Sequence, residues 1–217
     1  MVEIMSKILI IAFLVESIVL HEISHGYVAL RFGDRTAQRQ GRITLNPIPH
    51  IDPIWTIAIP IIAYFISSGT FIIGGAKPVP VNPRNYRQPV LGDICVSVAG
   101  VAANFIIAAI MILMLNIVHL VFGNFMGSVA VYVLLNTALL NIVLAMFNLI
   151  PIPPLDGSHL FKYLLPLELR SGYEMLGRTG AGFIILIIVI NIPGLWNAFR
   201  TIFLAVQDFM LNNLIFF

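Results

Sequence analysis

Charge is what this 217-residue sequence has least of. Lys and Arg number 12 and Asp and Glu 10, together 10% of the chain, against roughly 25% in soluble domains. So thin a polar inventory excludes a soluble globular protein and a disordered tail. The formal net charge of +2 is too small to hold an acidic partner, and no nucleic-acid ligand is expected. Cysteine is nearly absent too. Cys95 stands alone and cannot form an internal disulfide, so redox compartment is not readable. There is no internal repeat, which argues against a repeat-built transporter.

What the chain has is apolar surface. Hydrophobic residues make up 59% and mean hydropathy is +0.97. This composition predicts an all-α polytopic membrane protein, a helix bundle in a lipid bilayer. Residues 8–20 form an apolar run after Lys7. No small-x-small cleavage site follows, and the run leads into ionisable residues, so 4–30 is read as a retained membrane helix rather than a signal peptide. Residues 92–122 and 129–148 are long helix candidates, the second ended by Pro151, Pro153 and Pro154. A short helix follows to about Leu165. The stretch 180–213 is apolar but broken at Pro193-Gly194. Residues 31–51 are the most polar part, and Thr36 to Leu45 suggest short strands, a β-hairpin, around Gly41. Residues 74–83 are too rich in Pro and Gly for helix.

One motif carries chemistry. His21-Glu22-Ile23-Ser24-His25 sits within the first apolar helix. Positions i and i+4 share a helix face about 6 Å apart along the axis, so both imidazoles can reach one tetrahedral zinc. Glu22, turned aside, is placed to serve as general base. The plainer reading is two ordinary helical histidines. It is disfavoured because ionisable groups in an apolar helix are costly and mark function. A catalytic zinc needs a third protein ligand and an open position. His119 reads as an interfacial side chain and His50 as a loop residue. Spacing alone leaves Asp156 and His159 both open as the third ligand.

At this point the chain resembles a known family. His21-Glu22-x-x-His25-Gly26, together with Asn148-Leu-Ile-Pro151-Ile-Pro153-Pro-Leu155-Asp156-Gly157, is similar to the site-2 protease family of intramembrane zinc metalloproteases. Gly33-Asp34-x-Thr36-Ala37, Gly41-Arg42-Ile-Thr-Leu-Asn46-Pro47, His50-Ile-Asp52-Pro53 and Lys77-Pro78-Val-Pro-Val-Asn82-Pro83 resemble a compact prokaryotic branch without PDZ or CBS domains. The match covers about residues 10–165. The resemblance implies one zinc per chain, held by His21, His25 and Asp156, with Glu22 as general base. It places Asn148 close to the site, on substrate backbone or the oxyanion. It implies a single membrane-embedded protease domain over 1–217 (core about 4–165). Its substrates would be single-pass membrane protein segments, and an accessory membrane protein is compatible with it. The family's usual Gly-Pro-x-x-Asn reads Gly100-Val101-Ala102-Ala103-Asn104 here, which puts the bend at that point in doubt.

Topology follows from parity and charge. If the ligands on the first helix and just beyond the 129–148 helix meet at one depth, an even number of crossings separates them. Segment 54–73, with Pro60 and Ser67-Ser68-Gly69, is therefore expected to enter the membrane and return. Arg31, Arg35, Arg39 and Arg42 lie in one loop, Lys77, Arg84 and Arg87 in another, and Lys162, Arg170 and Arg178 in a third, while 123–128 carries no basic residue. The positive-inside rule puts all three basic loops in the cytoplasm. The expected location is the cell membrane, multi-pass, with the active site nearer the cytoplasmic face.

Overall fold

The computed structural model describes residues 2–66, 74–123 and 128–216. It is helical, and no strand occurs among the described residues. The α-helices among the described residues begin with α1 (Val2–Arg31), α2 (Thr36–Arg39), α3 (Ile59–Ile66), α4 (Pro89–Phe122) and α5 (Ser128–Asn148). After them come α6 (Asp156–Phe161), α7 (Leu167–Arg178), α8 (Ala181–Ile190) and α9 (Pro193–Leu214). By length and composition, α4 and α5 (from Val129) can each cross a membrane; α7 and α8, bent by 88°, make a third span if taken together. The protein is a membrane protein. α4 begins at Pro89, three residues before the expected start, because proline's missing N–H and fixed φ suit a helix's first turn. It runs unbroken through Gly100–Asn104, where no proline takes away a backbone N–H.

The chain divides into two compact units, Val15–Val96 and Met1–Leu14 with Ser97–Phe217. In the first, Ala29, Tyr86 and Val96 form a small core, flanked by Val28, Phe32 and Val81. The hairpin expected over Thr36–Leu45 does not form; a four-residue helix takes its place. The reason is local. A carboxylate oxygen of Asp34 accepts the Thr36 N–H at 3.0 Å and also the Thr36 hydroxyl, which starts a helical turn. Gly41, at φ 63°, then ends it in the left-handed region.

Asp34 does more than start α2. It is fully enclosed, and its other oxygen accepts the Asn82 N–H at 2.7 Å, while Asn85 Nδ2 donates to the first at 2.8 Å. Burial pushes this carboxyl's pKa up. The hydrogen bonds from Asn85, Thr36 and Asn82 outweigh that, and the pKa lies below its ordinary value. A carboxyl depressed on folding stabilises above its unfolded pKa, near ~4, and loses that contribution as pH falls through the folded value. Asp34→Asn should therefore melt several degrees lower in detergent at pH 7, about 2 kcal/mol for a charged acceptor. It should also show a shallower decline than wild type below pH ~4, read as melting temperature against pH.

The apolar run 54–73 is described as far as Ile66, so the turn expected at Ser67-Ser68-Gly69 lies outside the described residues. Asp52 caps its start, accepting from the Ile54 and Trp55 amides at 2.8 and 2.9 Å. A wide π-helical turn over Pro53–Ala58 leads into α3. Beyond the run, Gly75 N–H donates to Trp55 O at 3.1 Å and Thr56 Oγ1 donates to Gly75 O at 2.7 Å. A Cβ on Gly74 would lie 2.4 Å from Pro60 Cγ. The chain that leaves at Pro53 is thus back beside Trp55 by Gly75.

In the second unit, α4, α5 and α9 share a core of Ala108, Ile112, Ala138, Ile142, Met146 and Met210. Ala108 and Ala138 are fully enclosed; small residues let helices approach where lipid offers no hydrophobic drive. Asn116, on α4, donates to Leu214 O and accepts from Phe216 N–H at 3.0 Å. Those backbone groups at the end of α9 would otherwise lack partners in an apolar setting.

Candidate metal centre

His21, Glu22 and His25 stand on α1, within the Val15–Val96 unit. Both histidines are buried, 8% and 9% exposed. Their rings meet edge to face, centroids 4.6 Å apart, and their Nε2 atoms are 3.0 Å apart. His25 Nδ1 lies 2.7 Å from Val96 O. A carbonyl only accepts, so Nδ1 carries the proton and Nε2 presents its lone pair. That backbone contact fixes the ring and its tautomer, as carbonyls do behind metal-bound histidines. Two nitrogens ~2.1 Å from a tetrahedral zinc lie about 3.4 Å apart. The pair therefore fits a metal with little adjustment.

Glu22 is half-buried. Its Oε2 accepts the Val79 N–H at 2.6 Å. Gly26 explains how an extended segment comes so near a helix. A Cβ there would lie 2.9 Å from Val79 Cγ1 and 3.1 Å from Ala37 Cβ, so the bare residue after His25 is a steric requirement. The sequence reading missed Val79. Its signal was the Pro78-Val79-Pro80 spacing: neither proline has an N–H, so the valine carries the one amide donor of the three.

Asp156, Asn148 and His159 belong to the other unit. Asn148 ends α5, and its Nδ2 donates back to Leu144 O at 3.0 Å. Asp156 opens α6 and is partly buried. Next to it, a Cβ on Gly157 would lie 2.2 Å from Leu149 O. Only glycine lets α6 start directly against the end of the preceding turn. Tyr173 Oη donates to Pro151 O at 2.8 Å, tying α7 to the same turn. His159, on α6, is exposed. His50 is buried, with Nε2 3.1 Å from Thr44 O, which makes it a loop-holding residue as expected. Glu16, on α1, is exposed.

Paired imidazoles on one helix, with a carboxylate on a residue between them in sequence, are the equipment of a metal-dependent hydrolase. Residues 114–189 match peptidase family M50. YwhC of Bacillus subtilis (strain 168) is 39% identical over 83% of this chain and 78% of its own. Rip2 of Mycolicibacterium smegmatis is 31% identical over 87% of this chain and 68% of its own. Both carry "zinc metalloprotease" in their names. MJ0392 of Methanocaldococcus jannaschii, also so named, is 27% identical over 69% of this chain and 32% of its own. No solved structure matches. The chain belongs to peptidase family M50, the site-2 protease family; it is a protease and its cofactor is zinc.

Proposed function

We propose that this protein is an intramembrane endopeptidase that cuts single-pass membrane protein segments, with zinc held by His21, His25 and Asp156 and with Glu22 as general base. The observation that carries the reading is the buried His21–His25 pair, its nitrogens 3.0 Å apart, with Glu22 following His21 on the same helix. Donor chemistry supports the third ligand: two imidazoles and one carboxylate are a set that zinc takes with a position left open. When bound, zinc supplies Lewis acidity, polarising a peptide carbonyl and making water a nucleophile at neutral pH. Glu22 takes the water's proton and delivers it to the leaving nitrogen. Val96 O holds His25 in the tautomer that keeps its lone pair available. Asn148 is proposed to contact substrate backbone or the oxyanion, which requires its amide to leave Leu144 O.

A helical substrate hides its carbonyls in i→i−4 bonds, so it must unwind before attack, and helix-breaking residues near the cut favour cleavage. The test is the full-length chain purified in detergent, with zinc counted and a panel of single-pass substrates offered. Zinc at one per chain with cleavage inside the apolar segment is the expected result. Zinc-free protein that cuts nothing would favour a non-catalytic membrane scaffold, the alternative.

We also propose a multi-pass arrangement in which segment 54–73 dips in and returns, and the active site lies nearer the cytoplasm. The return of Gly75 to Trp55 supports it. So does the gathering of basic residues over 31–51, 74–91 and 157–178, although the third stretch, expected as a loop, is helical in α6 and α7, with Arg170 and Arg178 on α7. Single cysteines at Asn46 and Asn85, in a chain whose Cys95 is replaced, should label from the same side of intact membranes. Labelling from opposite sides would overturn the re-entrant arrangement. An accessory membrane protein controlling substrate access is compatible with it.

A further inference from the structure

Arg42 is buried, 7% exposed, yet among the described residues no carboxylate pairs with it. Its Nη2 donates to Lys77 O at 2.8 Å and to Pro78 O at 3.2 Å. Its Nε is enclosed without an acceptor. A guanidinium taken from water with no counter-charge is costly, and its burial removes it from lipid headgroups. Its task is legible in what it holds. The residue after Pro78 is Val79, whose N–H meets Glu22 Oε2 at 2.6 Å. The same segment is fixed at both ends. Lys77 N–H donates to His50 O at 2.8 Å, and Asn82 N–H to Asp34 Oδ2 at 2.7 Å. Of these grips, that of Arg42 lies nearest to Val79 in sequence, on the carbonyls of the two residues before it.

We propose that Arg42 is a positioning residue for peptide hydrolysis: gripping Lys77 and Pro78, it holds the Val79 amide on Glu22 Oε2, which leaves Oε1 for the proton. The proposal rests on the assignment of Glu22 as general base. Arginine suits the task because one terminal nitrogen of its planar fork serves two successive carbonyls, whereas lysine offers a rotatable point charge. Glu22 is held by one backbone amide, and a base displaced by about 1 Å loses on the order of a hundredfold in rate. The contrary reading makes the Val79–Glu22 contact a lock that must open before cleavage, and it predicts faster cleavage when Arg42 is removed.

The test compares wild type, Arg42→Gln, Arg42→Lys and Glu22→Gln as full-length zinc-loaded protein in detergent. Three quantities are read: zinc per chain, amide hydrogen exchange over residues 77–81, and kcat and KM on a single-pass reporter with a proline in mid-span. Expected for Arg42→Gln are unchanged zinc, at least about tenfold faster exchange over 77–81, and kcat lower by roughly 10–100-fold with KM unchanged. Arg42→Lys should recover part of both. Wild-type exchange and kcat in Arg42→Gln, a change in KM alone, or a rise in kcat would each overturn the proposal. Exchange is read whether or not the reporter is cut. Should Arg42→Gln fail to fold, Arg42→Lys is compared with and without Val79→Pro, which deletes the amide. Loss of the lysine effect in the proline background supports the coupling, and full additivity overturns it. Cleavage by Glu22→Gln would sink the base assignment; a dead Glu22→Gln beside a wild-type Arg42→Gln would sink the positioning role alone.

Discussion

Glu22→Gln is expected to keep its zinc and lose cleavage, by about a hundredfold at the least and up to ~10⁴-fold. The substitution is close to isosteric. A glutamine carbonyl oxygen still accepts the Val79 N–H that Glu22 Oε2 accepts at 2.6 Å, so the 77–82 segment should stay in place. The buried imidazoles of His21 and His25 are untouched, as is the Val96 carbonyl that sets the tautomer of His25. What the amide cannot do is take a proton from water and return it to the leaving nitrogen. Zinc counting and a cleavage rate measured on the same preparation separate the two effects. An enzyme that keeps its zinc and its rate would remove Glu22 from the mechanism. One that loses both would show that the side chain helps to hold the metal.

The second large effect concerns the third ligand. Asp156→Ala should weaken zinc binding by more than about a hundredfold, since changes merely behind metal ligands already cost 10–100-fold. Cleavage should vanish with the metal. Replacing His159 by Ala, three residues on along α6, should leave zinc at one per chain. Dialysis against chelators of graded strength, followed by metal analysis, reads both variants. The opposite pattern, zinc lost with His159 and kept without Asp156, would reassign the ligand. That comparison settles a choice which spacing alone left open.

The legibility of this protein in its sequence varied with the range of the forces involved. The helix bearing His21 and His25 was readable because an apolar run there leads straight into an i, i+4 pair on one helix face. α5 ended where its prolines said it would, and α8 and α9 part at Pro193. The short strands expected around Gly41 failed because Asp34 captures the amide and hydroxyl of Thr36 and turns the chain into a helix. Propensity along 36–45 does not register a carboxylate two residues upstream that is itself fixed by Asn82 and Asn85. Arg42 was read as one of several basic loop residues that orient the chain. Its burial depends on carbonyls 35 and 36 residues away, a distance no local pattern spans. The return of Gly75 to Trp55 is of the same kind. Parity of crossings suggested it, but the hydrogen bonds that close it lie about twenty residues apart in the chain.

The two glycines that follow His25 and Asp156 bear on how distant genomes should be surveyed. Position 26 is closed by Val79 and Ala37, and position 157 by the carbonyl of Leu149. Neither offers a side-chain atom, yet a methyl group would crowd the side chains of Val79 and Ala37 at position 26 and the Leu149 carbonyl at position 157. A homologue that retains every histidine, glutamate and aspartate but carries a bulkier residue at one of these positions must repack around it. A survey that reads the spacing around the two glycines along with the ionisable residues therefore asks more of a sequence than the motif alone.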